Sequence, residues 1–75
     1  MKKLRDHRAE KLLSIRNLGH RASVSPTTIY LIESGGRVPH LSTVQRLCDA
    51  LDVQPQDIEE FVAAIEQARV SRRLP

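Results

Sequence analysis

The side chains best placed to do chemistry in this sequence are basic, and they are unevenly spread. Nine Lys and Arg residues stand between Met1 and Arg46 (Lys2, Lys3, Arg5, Arg8, Lys11, Arg16, Arg21, Arg37 and Arg46). Three acids accompany them, Asp6, Glu10 and Glu33, leaving a balance of +6. From Leu47 to Ala68 there are six acids and no Lys or Arg, a balance of −6, before Arg69, Arg72 and Arg73 restore +3. The chemistry this asymmetry favours is the neutralisation of an acidic partner by one working surface. Other chemistry is poorly served. His7, His20 and His40 fall in three separate segments with no cysteine or acid at ligand spacing, so no metal site is expected. Cys48 is the single cysteine; it allows neither an internal disulfide nor a multi-cysteine zinc site. Beside Leu47 and Leu51 it reads as a small core residue. The stretch Glu33-Ser34-Gly35-Gly36-Arg37-Val38 has glycines but lacks the preceding strand and the spacing of a phosphate-cradling loop. No nucleophile with a base and no paired carboxylates are laid out, so neither an enzyme nor a cofactor is expected.

The elements that must position the basic residues follow from apolar spacing. The chain of 75 residues is 40% hydrophobic and 28% charged, enough for one domain around one small core. At this size about 60% of the unfolded chain's surface is buried. Every long apolar run is broken by charge, so no transmembrane span or secretory core is expected and the location expected is cytoplasmic, beside the nucleoid. No segment alternates as a strand does, and aromatics make up only 3%. The spacing predicts five helices in an all-α compact bundle covering residues 1–75 as a single domain. The first runs from about Lys3 to Leu12. The second starts behind Ser14, an N-cap residue type, and reaches about Arg21. Ala22-Ser23-Val24 leaves room only for a tight turn. Ser25 is the next N-cap, with Pro26 at the first helical position, where its missing N–H costs nothing. That third helix ends near Ser34-Gly35-Gly36, where a glycine permits a left-handed cap. Leu41, Val44, Leu47, Cys48 and Leu51 mark an amphipathic fourth helix. Pro55 opens a fifth, expected to run to Arg72 with Ile58, Phe61, Val62 and Ile65 as its apolar residues.

Two helices joined by a three-residue turn make a helix-turn-helix signature. Its geometry needs apolar residues where the helices touch each other and the core, and these stand at Leu18, Ala22, Val24, Ile29 and Ile32. It also needs a very small residue where the helices cross most closely, and Gly19 stands there. Six positions over eighteen residues, Ile15 to Ile32, meet the requirement.

With these residues in place, Leu13 to Val53 resembles the lambda-repressor/Cro-like family of helix-turn-helix DNA-binding domains, which includes the xenobiotic-response-element type of bacterial regulator. The resemblance rests on Ser14 and Leu18, on the run Thr28 to Gly35, and on the run Pro39 to Leu51. It implies that the third helix, Ser25 to Glu33, lies in the major groove of double-stranded DNA with its first turn toward the base edges. The groove residues so implied are Ser25, Pro26, Thr27, Thr28 and Tyr30. Thr27 offers a hydroxyl to a base or phosphate and a methyl to thymine; Tyr30 suits a phosphate or sugar. Ile15, Ser23, Pro26 and Leu31 depart from the family's usual residues. Pro26 and Leu31 cannot make the bidentate hydrogen bonds that Arg or Gln make to guanine or adenine. Readout is then expected from few contacts together with DNA shape.

The phosphate contacts expected are Lys2, Lys3, Arg5, Arg16, Arg21 and Arg37, with His40 and the backbone N–H groups near Ile15 and Leu41 at two helix starts. Arg8 and Glu33 match positions that pair in the family and orient the recognition helix. The function expected is a transcriptional repressor acting as a homodimer on a two-fold-related operator. Val62, Ile65 and Ala68 on the fifth helix are the expected dimer interface, with Glu59, Glu60 and Glu66 at its rim near Arg69, Arg72 or Arg73 of a partner. An antitoxin binding a toxin partner through that helix, and an interaction module that has lost DNA binding, are the alternatives.

Overall fold

The computed structural model describes residues 2–73, with side chains as far as Val70. The elements in order are α1 (Leu4–Glu10), α2 (Ile15–Ala22), α3 (Pro26–Glu33), α4 (Leu41–Leu51), a single 3₁₀ turn (Pro55–Asp57) and α5 (Glu59–Arg73). Among the described residues there is no strand. Twelve buried apolar residues form one core, drawn from every α-helix: Leu4 from α1, Leu18 and Ala22 from α2, Ile29 and Ile32 from α3, Val44, Leu47, Cys48 and Leu51 from α4, and Ile58, Phe61 and Ala64 from the last segment. The bundle is elongated, 42 × 23 × 20 Å.

Two boundaries differ from the sequence expectation, and both for backbone reasons. The first helix stops at Glu10, because Leu12 takes the left-handed conformation (φ 58°). There the Leu13 N–H bonds back to the Arg8 carbonyl at 3.1 Å, a Schellman-type closure built without glycine. The fifth helix does not run through from Pro55. Pro55–Asp57 forms a 3₁₀ turn, and Ile58 is extended (φ −118°, ψ 122°). That break turns Ile58 fully into the core before α5 begins at Glu59.

The N-terminus is fastened to the start of α5. The Glu59 N–H donates to the Lys2 carbonyl at 3.0 Å, and the Leu4 N–H donates to Glu60 Oε1 at 3.0 Å. His7 Nε2 lies 3.0 Å from the Asp57 carbonyl oxygen. Two of the orphan donors that begin a helix are thereby satisfied across the fold.

Candidate nucleic-acid interface

The candidate interface is built on the α2–turn–α3 unit. At the start of α2, Ser14 Oγ accepts a hydrogen bond from the Asn17 N–H at 3.0 Å, the N-cap that the sequence suggests. At its end, Ser23 stands in the left-handed region (φ 57°, ψ 43°). The Val24 N–H then reaches the Gly19 carbonyl at 3.0 Å. At Gly19 the backbone of the turn comes very close: a Cβ there would lie 2.6 Å from the Val24 carbonyl oxygen. Only a residue without a side chain lets this turn close. Leu18, Ala22, Ile29 and Ile32 are buried, and Val24 is half-buried against the core. They hold α2 and α3 together from within.

Much of what remains outside is polar or basic. Ser25 sits at the N-cap of α3 and Pro26 at its first position, but the Ser25 hydroxyl makes no cap hydrogen bond. It is exposed. Thr27 is exposed, Thr28 is half-buried, and Tyr30 is 59% exposed. A shallow concavity of about 570 Å³ beside this turn is lined by Arg16, Gly19, His20, Ser23, Val24, Ser25 and Pro26. It brings a guanidinium and an imidazole next to the free Ser25 hydroxyl. Ile15 is half-buried and contributes its position at the head of α2. Arg21, Arg37, His40 and Leu41 are exposed, the last two at the start of α4. His40 makes no side-chain cap bond there, so the first N–H groups of α4 have no cap acceptor from that side chain.

Arg8 and Glu33 form a forked pair. Arg8 Nε donates to Glu33 Oε2 at 2.8 Å and Nη2 to Oε1 at 2.9 Å, while Nη1 donates to the Leu13 carbonyl at 3.0 Å. The pair is largely shielded, with side-chain exposures of 15% and 9%. The hydrogen bond to Glu33 raises the Arg8 pKa above its ordinary value, against the opposing effect of burial. The bidentate geometry fixes the C-terminal end of α3 against α1.

Not every expected contact joins this face. Lys2 is paired with Glu10, and its backbone is held by α5, so the arm lies along α1 and the acidic start of α5. Lys3 and Arg5 are exposed beside it. Arg46 is a residue that sequence reasoning counted only as charge. From α4 its Nη1 points to the Ser23 carbonyl at 3.4 Å, so it stands over the helix-turn-helix turn. Its place on the polar side of the α4 pattern was the available signal, but nothing local says which turn that side would face.

The expected dimer residues are also divided by the fold. Val62 is exposed, whereas Ile65 and Ala68 are half-buried. Ile65 lines a groove with Leu41, Val44, Cys48 and Val53, and Ala68 faces Val38, Pro39 and Leu41. Phe61, Ala64, Ile65 and Ala68 recur at helical spacing on the inner side of α5, so Ile65 and Ala68 belong to the side that packs on the domain. Arg72 and Arg73, expected near the interface rim, have side chains outside the described residues.

Cys48 is buried, and its thiol is pushed up to about 11 by burial first and then by the charges of Asp49 and Asp57. Burial thus favours the protonated thiol, and Cys48 packs as a member of the core. Among the described residues no three His, Cys, Asp or Glu side chains gather as a metal site would need, and no helix is long and apolar enough to cross a membrane.

A five-helix all-α bundle with a glycine-closed α2–α3 turn and an exposed first turn on α3 defines a helix-turn-helix domain. The helix-turn-helix domain family matches residues 2–61, most of the chain, and this protein belongs to that family, as the lambda-repressor/Cro-like resemblance implies. No curated protein and no solved structure gives a significant match.

Proposed function

We propose that the chain is a sequence-specific DNA-binding transcriptional regulator, a repressor that occupies a short two-fold-related operator as a homodimer in the cytoplasm. One observation carries the reading. Ser25 and Thr27 at the start of α3 and Tyr30 one turn further on are exposed, with Ser25 beside Arg16 and His20, while Ile29 and Ile32 on the same helix are buried. A helix anchored that firmly on one side, and polar with unengaged hydroxyls on the other, fits a major groove of B-form DNA. Arg16, Arg21 and Arg37 hold phosphates on either side of it, and Thr27 reads a base edge. The Arg8–Glu33 fork keeps the angle of α3 fixed, so little order is lost on binding. Readout by two threonines and a tyrosine is sparse, which leaves a share of specificity to DNA shape.

The test is selection of bound sequences from a random duplex pool, followed by a gel-shift titration of the winning site at two salt concentrations. The reading expects an enriched site with two related half-sites and an affinity that falls steeply with salt. No enrichment, with no binding to any duplex at low salt, overturns it.

A further inference from the structure

We propose that Arg16, His20 and Ser25 form a site for one backbone phosphate of duplex DNA, and that His20 takes up a proton when the phosphate arrives. This deepens the DNA-binding reading above, on which it rests, and adds a pH dependence to it. Arg16 and His20 stand four residues apart on one face of α2, and both are exposed. They border the depression of about 570 Å³ that also takes in Ser23, Ser25 and Pro26. The Ser25 hydroxyl makes no cap bond to α3. A guanidinium, an imidazole and a hydroxyl therefore border one hollow, and neither helix alone supplies all three.

The lining selects an anion. No carboxylate borders the hollow. The charged groups around His20 are basic: Arg16 and Arg21 on α2, and Arg46, which reaches from α4 to the Ser23 carbonyl. The acids of the neighbouring helices are engaged or placed elsewhere. Glu33 of α3 is held by Arg8. Asp6 and Glu10 of α1 are bound to Lys3 and Lys2. Asp49 of α4 borders the groove beside Ile65, and Asp52 follows the last turn of α4. With the start of α3 in the major groove, the nearest anions to this hollow are backbone phosphates. A neutral imidazole offers them one N–H, whereas the charged ring offers two and a positive charge. Charge-assisted hydrogen bonds of this kind are roughly twice as strong as neutral ones. One proton therefore passes from solvent to His20 for each protomer bound. The complex holds more protons than its separated parts, so affinity rises as pH falls through the range in which histidine changes charge.

The test is fluorescence anisotropy of the full chain on two labelled duplexes, one carrying the selected site and one of random sequence at low salt. Each is titrated at about pH 6 and about pH 8 at one ionic strength. The wild type is expected to bind both duplexes at least ~3-fold tighter at the lower pH. His20→Gln is expected to lose that gain and to bind at either pH as the wild type does at the higher one. His20→Lys, charged throughout, is expected to bind tightly at both. His20 is exposed, so helical circular dichroism should be unchanged in both variants. A gain that survives in His20→Gln, or that disappears in His40→Gln instead, overturns the site. A gain confined to the selected duplex points to a base edge and overturns the phosphate assignment. Wild-type affinity that falls steeply with salt but is equal at the two pH values overturns the proton uptake and leaves the DNA-binding reading standing. No binding to either duplex at either pH overturns both.

Discussion

Gly19 is the residue on which the α2–α3 turn depends most directly. A methyl group there would meet a backbone oxygen at 2.6 Å, and backbone cannot swing aside as a side chain can. Gly19→Ala is expected to cost about 1–3 kcal/mol by forcing the turn open, measured as a fall in the chemical-denaturation midpoint. An unchanged midpoint would mean the turn relaxes freely. Thr27 is the complementary case, exposed and structurally idle. Thr27→Ala is expected to leave stability within about 0.5 kcal/mol. It should change the preferred base at one position of each half-site by about 1 kcal/mol, and an identical selected profile would remove Thr27 from the groove. Cys48 shows the opposite behaviour to a reactive thiol. Its folded pKa of about 11 lies above the unfolded value of 9.0. The native state therefore favours the protonated form, and this contribution to stability, present below the unfolded pKa, is lost as pH rises from 9.0 toward 11. A thiol reagent at neutral pH should label Cys48 only at the rate of unfolding; fast labelling of the native protein would contradict its burial.

At the scale of the elements, three helix ends are closed by left-handed residues that are not glycine: Leu12 after α1, Ser23 after α2 and Asp52 after α4. Each allows the following N–H to bond back into the last turn, so the conformation is needed even where the residue type resists it. Leu12 is 91% exposed, so its side chain contributes almost no burial to set against the strain. Leu12→Gly is expected to stabilise the domain by about 1 kcal/mol, equivalent to ~4–8 °C in melting temperature at this size. Ser23→Gly should act in the same direction. A lower melting temperature for Leu12→Gly would show that Leu12 is held by something other than the turn. The α1–α3 join is the other element-scale feature. Arg8→Ala leaves Glu33 shielded and unpaired, which is expected to cost about 2–3 kcal/mol, at or below the range for fully buried pairs because both side chains keep some water contact. Calorimetry of Arg8→Ala and Glu33→Gln reads this loss.

For the whole molecule the controlling fact is the split of charge, +6 over Met1 to Arg46 against −6 over Leu47 to Ala68. Like charge on the α4–α5 side meets no phosphate if the helix-turn-helix face is the one that docks, so the split orients approach as well as strengthening it. Binding is expected to fall with salt at a slope set by on the order of four to eight phosphates per dimer. Arg16→Ala and Arg37→Ala should lower specific and non-specific affinity together and flatten that slope. Lys2→Ala should do so less, because Lys2 is already paired with Glu10. Equal losses for Lys2 and Arg16 would place the arm on the DNA after all.

The sequence alone determined the helix count, the turn at Ala22–Val24, the small residue at Gly19 and the inward set Leu18, Ala22, Ile29 and Ile32. These are local quantities: a period near 3.6, a cap, a proline at a helix start, a spacing across one turn. The Arg8–Glu33 pair was legible only through family resemblance, since 25 residues separate its members. Tertiary structure decided what depends on where elements lie relative to one another. Arg46 reaches the Ser23 carbonyl because α4 packs across α2, and the N-terminal arm turns to α5 because Glu60 offers its carboxylate to the Leu4 N–H. Val62, Ile65 and Ala68 read as one stripe in sequence, but the 3₁₀ turn and the extended Ile58 set the rotation of α5. That rotation faces Ile65 and Ala68 inward and leaves Val62 outside with Ala63 and Val70. An apolar residue in a one-dimensional pattern is committed to burial, but which surface buries it depends on the angle at which its helix arrives.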